Sequence, residues 1–278
     1  MFYFCKMHAT GNDFVIIDCI KTKFQYSLKM LSEFLCDRHF GVGADGVIFI
    51  EKSDIADFKM RIFNLDGTEA KMCGNGIRCL AKYVFEKRLI RKEKLKIETL
   101  AGIKELELIV ENRTVISAKV NMGSPIFEYS KIPVTYSEVT KSNGIIININ
   151  KKEYEFFPVS IGNPHVVCFV ENLEALKIEE IGPIVENYKY FPDRTNVEFV
   201  KVIDKNNIEV RIWERGVGET LSCGTGACAA SVISIIKKFT ESELTVNVKG
   251  GKLKVLYDKD NLILNGPASI VYDGHINI

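Results

Sequence analysis

The chain repeats itself, and this constrains its fold more than any other feature. Cys73-Gly74-Asn75-Gly76 recurs as Cys223-Gly224-Thr225-Gly226. Gly11-Asn12-Asp13-Phe14-Val15 recurs as Gly162-Asn163-Pro164-His165-Val166, and Val47-Ile48-Phe49-Ile50 as Val197-Glu198-Phe199-Val200. Arg61-Ile62-Phe63-Asn64 lines up with Arg211-Ile212-Trp213-Glu214, and Glu69 with Glu219. The offset stays at 150 or 151 throughout, the mark of a duplicated unit. Asn121-Met122-Gly123-Ser124-Pro125 closes the first copy and Asn265-Gly266-Pro267 the second. Residues 1–123 and 124–266 are therefore predicted as two repeat domains. The segment 267–278, with a strand at 270–278, is left over and is expected to return to the first.

Within each copy, short strand-like runs surround isolated helices. Strands are predicted on both sides of the turn at Gly11-Asn12, then at 47–51, 59–63, 95–99, 103–110 and 115–122. Leu28, Leu31 and Leu35 give 28–38 a helical face, and helices are predicted at 77–87 and 227–237, after the cysteine motifs. The second of these is small or apolar on every side, from Ala227 to Ile236, so it should be buried all round. The expected class is α+β. Each domain should be a mixed or antiparallel sheet wrapped around a central helix, with the active site in the cleft between the domains.

Composition excludes several classes. Lys and Arg number 37 against 36 Asp and Glu, a net charge of +1, which gives no field for nucleic acid or an anionic membrane. The lysine-rich run at 87–96 reads as a solvated face. No apolar run approaches the roughly 18 residues of a membrane span, and the first residues lack a leader pattern, so a cytoplasmic location is expected. In a reducing compartment Cys5, Cys19, Cys36, Cys79, Cys168 and Cys228 read as core or incidental thiols. Cys228 lies about 140° round a helix from Cys223, so the pair does not form a metal site. The Gly41 to Gly46 loop lacks the Lys-Ser/Thr ending of a P-loop and no helix follows it. Neither a metal nor a cofactor is expected.

The chemistry follows from the paired motifs. A cysteine at a helix start meets free backbone N–H groups and the positive end of the helix dipole, which favours a thiolate. Adjacent glycines let backbone amides converge on an anion. Two such thiols in related domains suit a reaction that takes a proton from one face of a carbon and returns one to the other. Racemisation and epimerisation are of that kind, with one thiolate, one thiol and coupled titrations.

The motifs together resemble the diaminopimelate epimerase family. They are Gly11-Asn12-Asp13-Phe14, Asn64-Leu65-Asp66-Gly67, Met72-Cys73-Gly74-Asn75-Gly76-Ile77-Arg78-Cys79, Gly162-Asn163-Pro164-His165, Arg194-Thr195-Asn196, Glu214-Arg215-Gly216 and Cys223-Gly224-Thr225-Gly226-Ala227. The resemblance implies cofactor-independent epimerisation of LL-2,6-diaminopimelate to the meso form, in lysine and cell-wall precursor biosynthesis. It implies Cys73 and Cys223 as the acid/base pair. Gly74, Asn75, Gly224 and Thr225 would hold the reacting carboxylate. Asn12, Asn64, Asn163, Asn196, Glu214 and Arg215 would bind the amino groups and the distal end. His165 and Glu214 would tune the thiols, and a homodimer through the region of Tyr272 is implied. Some family members carry glutamine where this chain has Gly46, so Asp45 and Gly46 are not assigned. The alternatives are a proline or hydroxyproline racemase, whose members usually carry histidine in place of Asn75, and a thiol redox protein switching through Cys73 and Cys223.

Overall fold

The computed structural model describes residues 2–20, 26–135, 143–259 and 261–277; residues 1 and 278, the outer ends of the first and last predicted strands, lie outside them. The chain forms two compact units, Met1–Asn121 with Asn265–Ile278, and Met122–Leu264.

In the first unit the order is β1 (Phe2–Ala9), β2 (Asn12–Asp18), α1 (Leu28–Cys36), β3 (Gly46–Glu51), β4 (Phe58–Asn64), β5 (Glu69–Ala70), α2 (Gly74–Glu86), β6 (Lys94–Thr99), β7 (Gly102–Glu111) and β8 (Thr114–Gly123). Strand β1 pairs antiparallel with β2, β2 runs parallel to β3, and β3 is antiparallel to β4. Strand β4 carries the short antiparallel β5 and runs parallel to β6, after which β6, β7 and β8 form an antiparallel meander.

The sheet is apolar on both faces. Val15, Ile17, Val47, Phe49 and Phe63 pack with Leu31, Leu35 and Cys36 of α1. With the period of two along a strand, Ile16, Ile48 and Ile62 point to the other face. There the side chains of Ile48 and Ile62 come so near Gly76 of α2 that a Cβ at Gly76 would sit 2.9 and 3.1 Å from them. Helix α2 is buried from Gly74 through Val84, as a helix enclosed by its sheet must be.

The second unit runs β9 (Ile145–Ile149), β10 (Lys152–Ser160), β11 (Pro164–Phe169), α3 (Ile178–Glu186), β12 (Asn196–Asp204), β13 (Asn207–Glu214), β14 (Gly218–Thr220), α4 (Gly224–Ile236), β15 (Glu243–Val248), β16 (Gly251–Asp258) and β17 (Asn261–Gly266). Its pairings follow the same plan: β10 antiparallel to β11, β11 parallel to β12, β12 antiparallel to β13, and β13 antiparallel to β14 and parallel to β15. Even the register repeats. Phe14 faces Gly46 in one unit and His165 faces Asn196 in the other. Strand β9 flanks β10, and the final strand, β18 (Ser269–Ile276), flanks β1. Among the described residues, no helix is long and apolar enough to cross a membrane.

The predicted helices start earlier than the sequence pattern placed them. Both begin at the glycine after the cysteine, Gly74 and Gly224, because the cysteine itself is the N-cap. Helix α3 was not anticipated. Gly182 and Pro183 are poor helix formers, yet Gly182 lets the helix approach Trp213, where a Cβ would lie 2.5 Å from the ring. Packing overrides propensity at this point.

Candidate active site

Each cysteine caps its helix in the same way. Cys73 has φ −140° and ψ 120°, Cys223 φ −125° and ψ 121°, extended conformations suited to an N-cap. In each, the N–H three residues on donates to Sγ at 3.4 Å, from Gly76 and from Gly226. One orphan N–H of the helix is thereby aimed at sulfur.

Around Cys73 the partners are amides. The thiol faces Asn12 Oδ1 at 3.9 Å, and that oxygen also accepts from Asn75 Nδ2 at 3.2 Å. Asn75 is turned by the buried Arg78, which donates to its Oδ1 at 2.9 Å and to Gly74 O at 3.0 Å. Asn12 is fixed from the other end, where Nδ2 donates to Asp45 Oδ2 at 2.8 Å. Asp45 is tied to the chain beside it through Arg38 and through reciprocal bonds with Asp13. Burial works against ionisation of Asp13, but Arg38 and Lys6 prevail and hold its carboxyl at about 2. Lys6, itself buried, lies 2.6 Å from that carboxylate. Asp45, unassigned from sequence, thus belongs to the scaffold of Asn12.

Gly46 has a local reason. A Cβ there would stand 2.8 Å from the carbonyl oxygen of Phe63, so a glutamine would need backbone movement. Asn64, paired across from Gly46, is exposed at the end of β4 and donates from Nδ2 to Thr68 Oγ1 at 3.0 Å.

Around Cys223 the partners differ. The thiol is buried and lies 3.3 Å from Thr225 Oγ1. Burial pushes it well above the usual thiol range, and Glu214 pushes the same way; the Thr225 hydroxyl and the Gly226 N–H oppose them. A helix start favours a thiolate, and here burial works against that preference. Desolvation is the largest of these effects and acts against the charged form.

Glu214 accepts from Thr220 Oγ1 at 2.6 Å, and Arg215 donates through Nη1 to Asp193 O at 2.9 Å. Asn196 is buried, donates to Pro164 O at 2.7 Å and accepts from Arg215 N at 2.9 Å, so it holds the loop that presents Arg215. His165 is fully buried and touches Asn163 Oδ1 through Nε2 at 3.0 Å and Glu198 Oε1 through Nδ1 at 2.7 Å. Glu198 was quoted from sequence only as part of a repeat. It too is fully buried, and burial raises its carboxyl above the usual range, with His165 working against the rise.

The remaining cysteines are buried, except Cys19, which is half-buried. Burial raises Cys5, Cys19, Cys36 and Cys168 to about 12. Cys79 lies fully buried inside α2 and is raised by the same desolvation, and Cys228 is equally buried inside α4. No cluster of metal-ligating side chains occurs among the described residues.

Known proteins resemble this chain over nearly its whole length. The family model described as diaminopimelate epimerase matches residues 4–128 and 157–271. The chain belongs to the diaminopimelate epimerase family. It is 47% identical over 279 residues to a diaminopimelate epimerase of Methanococcus maripaludis, covering 99% of both chains. It is 50% identical over 276 residues to one of Caldanaerobacter subterraneus, again with 99% of each covered. The fold matches the crystal structure of a Bacillus anthracis phenazine biosynthesis protein of the PhzF family with a TM-score of 0.73, covering 100% of this chain and 99% of that one. At 19% identity that likeness shows the fold alone. The resemblance read from the motifs is thus the family to which the chain belongs.

Proposed function

We propose that this protein interconverts LL-2,6-diaminopimelate and its meso form through two thiols. The single observation that carries the reading is the duplicated cap: two cysteines at one repeat position, each receiving a helix N–H at 3.4 Å. One sulfur removes the Cα proton as thiolate and the other delivers a proton from its thiol to the opposite face. Electrons left on Cα spread into the carboxylate, where the N–H groups at Gly74, Asn75, Gly224 and Thr225 stabilise the developing charge. Burial and Glu214 both disfavour the Cys223 thiolate, so in this scheme Cys223 is the donor and Cys73 the base in one direction. In the reverse direction the roles exchange. Asn12, Asn64, Asn163, Arg215 and Glu214 bind the amino groups and the distal carboxylate, for which an arginine fork is suited. Asn196 contributes by holding the Arg215 loop, and His165 acts on its own half.

In this reading residues 1–123 with 267–278 and residues 124–266 are the two repeat domains. The enzyme works in the cytoplasm as a homodimer, needs neither metal nor pyridoxal phosphate, and supplies lysine and cell-wall precursors. The test is Cα–H exchange in D2O with LL-diaminopimelate, with proline as a control substrate. Solvent deuterium should enter as the meso form appears, and Cys73→Ala and Cys223→Ala should each abolish epimerisation. Full turnover by Cys73→Ala refutes the two-thiol scheme, and turnover of proline in place of diaminopimelate refutes the substrate.

A further inference from the structure

The two helix mouths are built on one plan except directly beneath the first turn. A Cβ at Gly76 would meet Ile48 Cδ1 at 2.9 Å; one at Gly226 would meet Glu198 Oε1 at 2.8 Å. Ile48 and Glu198 are repeat equivalents, and so are Phe14 and His165. An apolar pair in one unit is thus a carboxyl–imidazole pair in the other. Val197 and Phe199 face the core cluster on the far side of the sheet, so alternation places Glu198 on the α4 face.

The proton positions follow from the partners. Asn163 presents Oδ1, an acceptor, to Nε2 of His165 at 3.0 Å, so Nε2 carries a hydrogen. Nδ1 and Glu198 Oε1, 2.7 Å apart, then need one proton between them. The other carboxyl oxygen, Glu198 Oε2, is buried and has no hydrogen-bond partner. An ionised carboxylate with a bare buried oxygen is far costlier than a neutral acid whose carbonyl oxygen is bare. The groups that reach this carboxyl are His165 from β11, Glu214 from β13 and Cys223 at the cap of α4. Burial and Glu214 act to keep the proton on Glu198, and His165 acts against them.

We propose that Glu198 is a positioning residue: as a neutral carboxylic acid it donates to Nδ1 of His165, fixes the ring as the Nε2–H tautomer, and so orients the Asn163 amide. Asn163 Oδ1 is committed to the ring, and its NH2 group is left as the donor that an anionic substrate requires. Asn12, its repeat equivalent, is held the opposite way, with NH2 committed to the Asp45 carboxylate and Oδ1 turned to Cys73. The functional part rests on the reading that Asn163 binds substrate. The tautomer does not depend on it.

The test joins a spectroscopic arm to a kinetic one. Nitrogen-15 shifts of His165 in the free protein should show one pyrrole-like and one pyridine-like ring nitrogen. Two protonated nitrogens overturn the proposal. Glu198→Gln retains a donor to Nδ1 and should keep kcat/KM within about threefold of the parent and leave its pH profile unmoved. Glu198→Ile should lower kcat/KM by about tenfold or more, as for loss of one oriented hydrogen bond. The double variant His165→Phe/Glu198→Ile copies the Phe14 and Ile48 pair. It should fold, judged by circular dichroism and melting, yet stay at least tenfold impaired. Full recovery in the double variant would show a purely packing role and refute the proposal, as would loss in Glu198→Gln equal to that in Glu198→Ile. A parent protein inactive on diaminopimelate sinks the substrate reading and leaves the spectroscopic result standing.

Discussion

Replacing Thr225 by valine removes the hydroxyl 3.3 Å from Cys223 Sγ and keeps nearly the same shape. Burial and Glu214 raise this thiol; the Thr225 hydroxyl is the first group that opposes them, ahead of the Gly226 N–H. A hydrogen bond to a charged acceptor contributes about 1.5 kcal/mol at the weak end, or roughly one pKa unit. The substitution should therefore raise Cys223 by about one unit. Below the thiol's pKa the thiolate population falls about tenfold. A more basic thiolate is also a better nucleophile, and a Brønsted slope near 0.45 returns about threefold of that loss. The net expectation is a three- to fourfold slower reaction of Cys223 with a neutral aromatic disulfide at pH 7. Above the pKa of the variant thiol the order reverses and the variant reacts faster. Mass spectrometry separates the two sites, and Cys73, whose cap bears Asn75 in place of Thr225, serves as the internal control. The reaction equilibrium is independent of the enzyme, so kcat/KM must fall by one common factor in both directions. A Cys223 profile that stays in place, or moves to lower pH, refutes the assignment of Thr225 as a thiolate stabiliser.

Further perturbations test the surrounding charges. Glu214→Gln removes the carboxylate that raises Cys223 after burial itself, so its disulfide-exchange profile should shift to lower pH; an upward shift would contradict the sign. Asp13→Asn should destabilise the protein by at least about 2 kcal/mol at pH 7 in urea unfolding, the value of a carboxyl lowered from 3.8 to about 2. A depressed carboxyl stabilises above its unfolded pKa and loses that contribution as pH falls through its folded one, so the deficit should shrink between about pH 4 and pH 2. A deficit independent of pH would place the effect in packing.

What could be read from sequence was what neighbours in sequence decide. The Cys-Gly-x-Gly caps, the strand–turn–strand start and the constant repeat offset all rest on local chemistry, and the folded chain has them. The upward push on Cys223 could not be read, because the helix start argues for a thiolate and only tertiary burial opposes it. Asp45 is left unassigned in the sequence because of the glycine beside it, and its bond to Asn12, 33 positions away, is visible only in the fold. Glu198 did leave a signal. A glutamate between Val197 and Phe199, in the place where the first copy has Ile48, is a polar residue on a strand otherwise read as apolar. Alignment of the two copies exposes such positions, whereas single-copy periodicity averages them away.

Those positions explain how a duplicated fold carries two unlike thiols. Backbone pairing, cap dihedrals and the N–H to sulfur distance agree between the units, so none of them can distinguish Cys73 from Cys223. The differences lie in side chains at matched sites: Asn64 against Glu214, Asn75 against Thr225, Ile48 against Glu198 and Phe14 against His165. Glu214 acts on Cys223 as a charge, whereas Asn64 at the matched place is neutral. In the proposed scheme one thiol takes a proton and the other gives one, so the two cysteines have different tasks. A few substitutions on a conserved frame provide that. Moving Glu214 and Glu198 onto the first unit, at Asn64 and Ile48, should accordingly shift the Cys73 exchange profile to higher pH, and a profile unmoved by that transplant would show that these carboxyls do not act on the thiols.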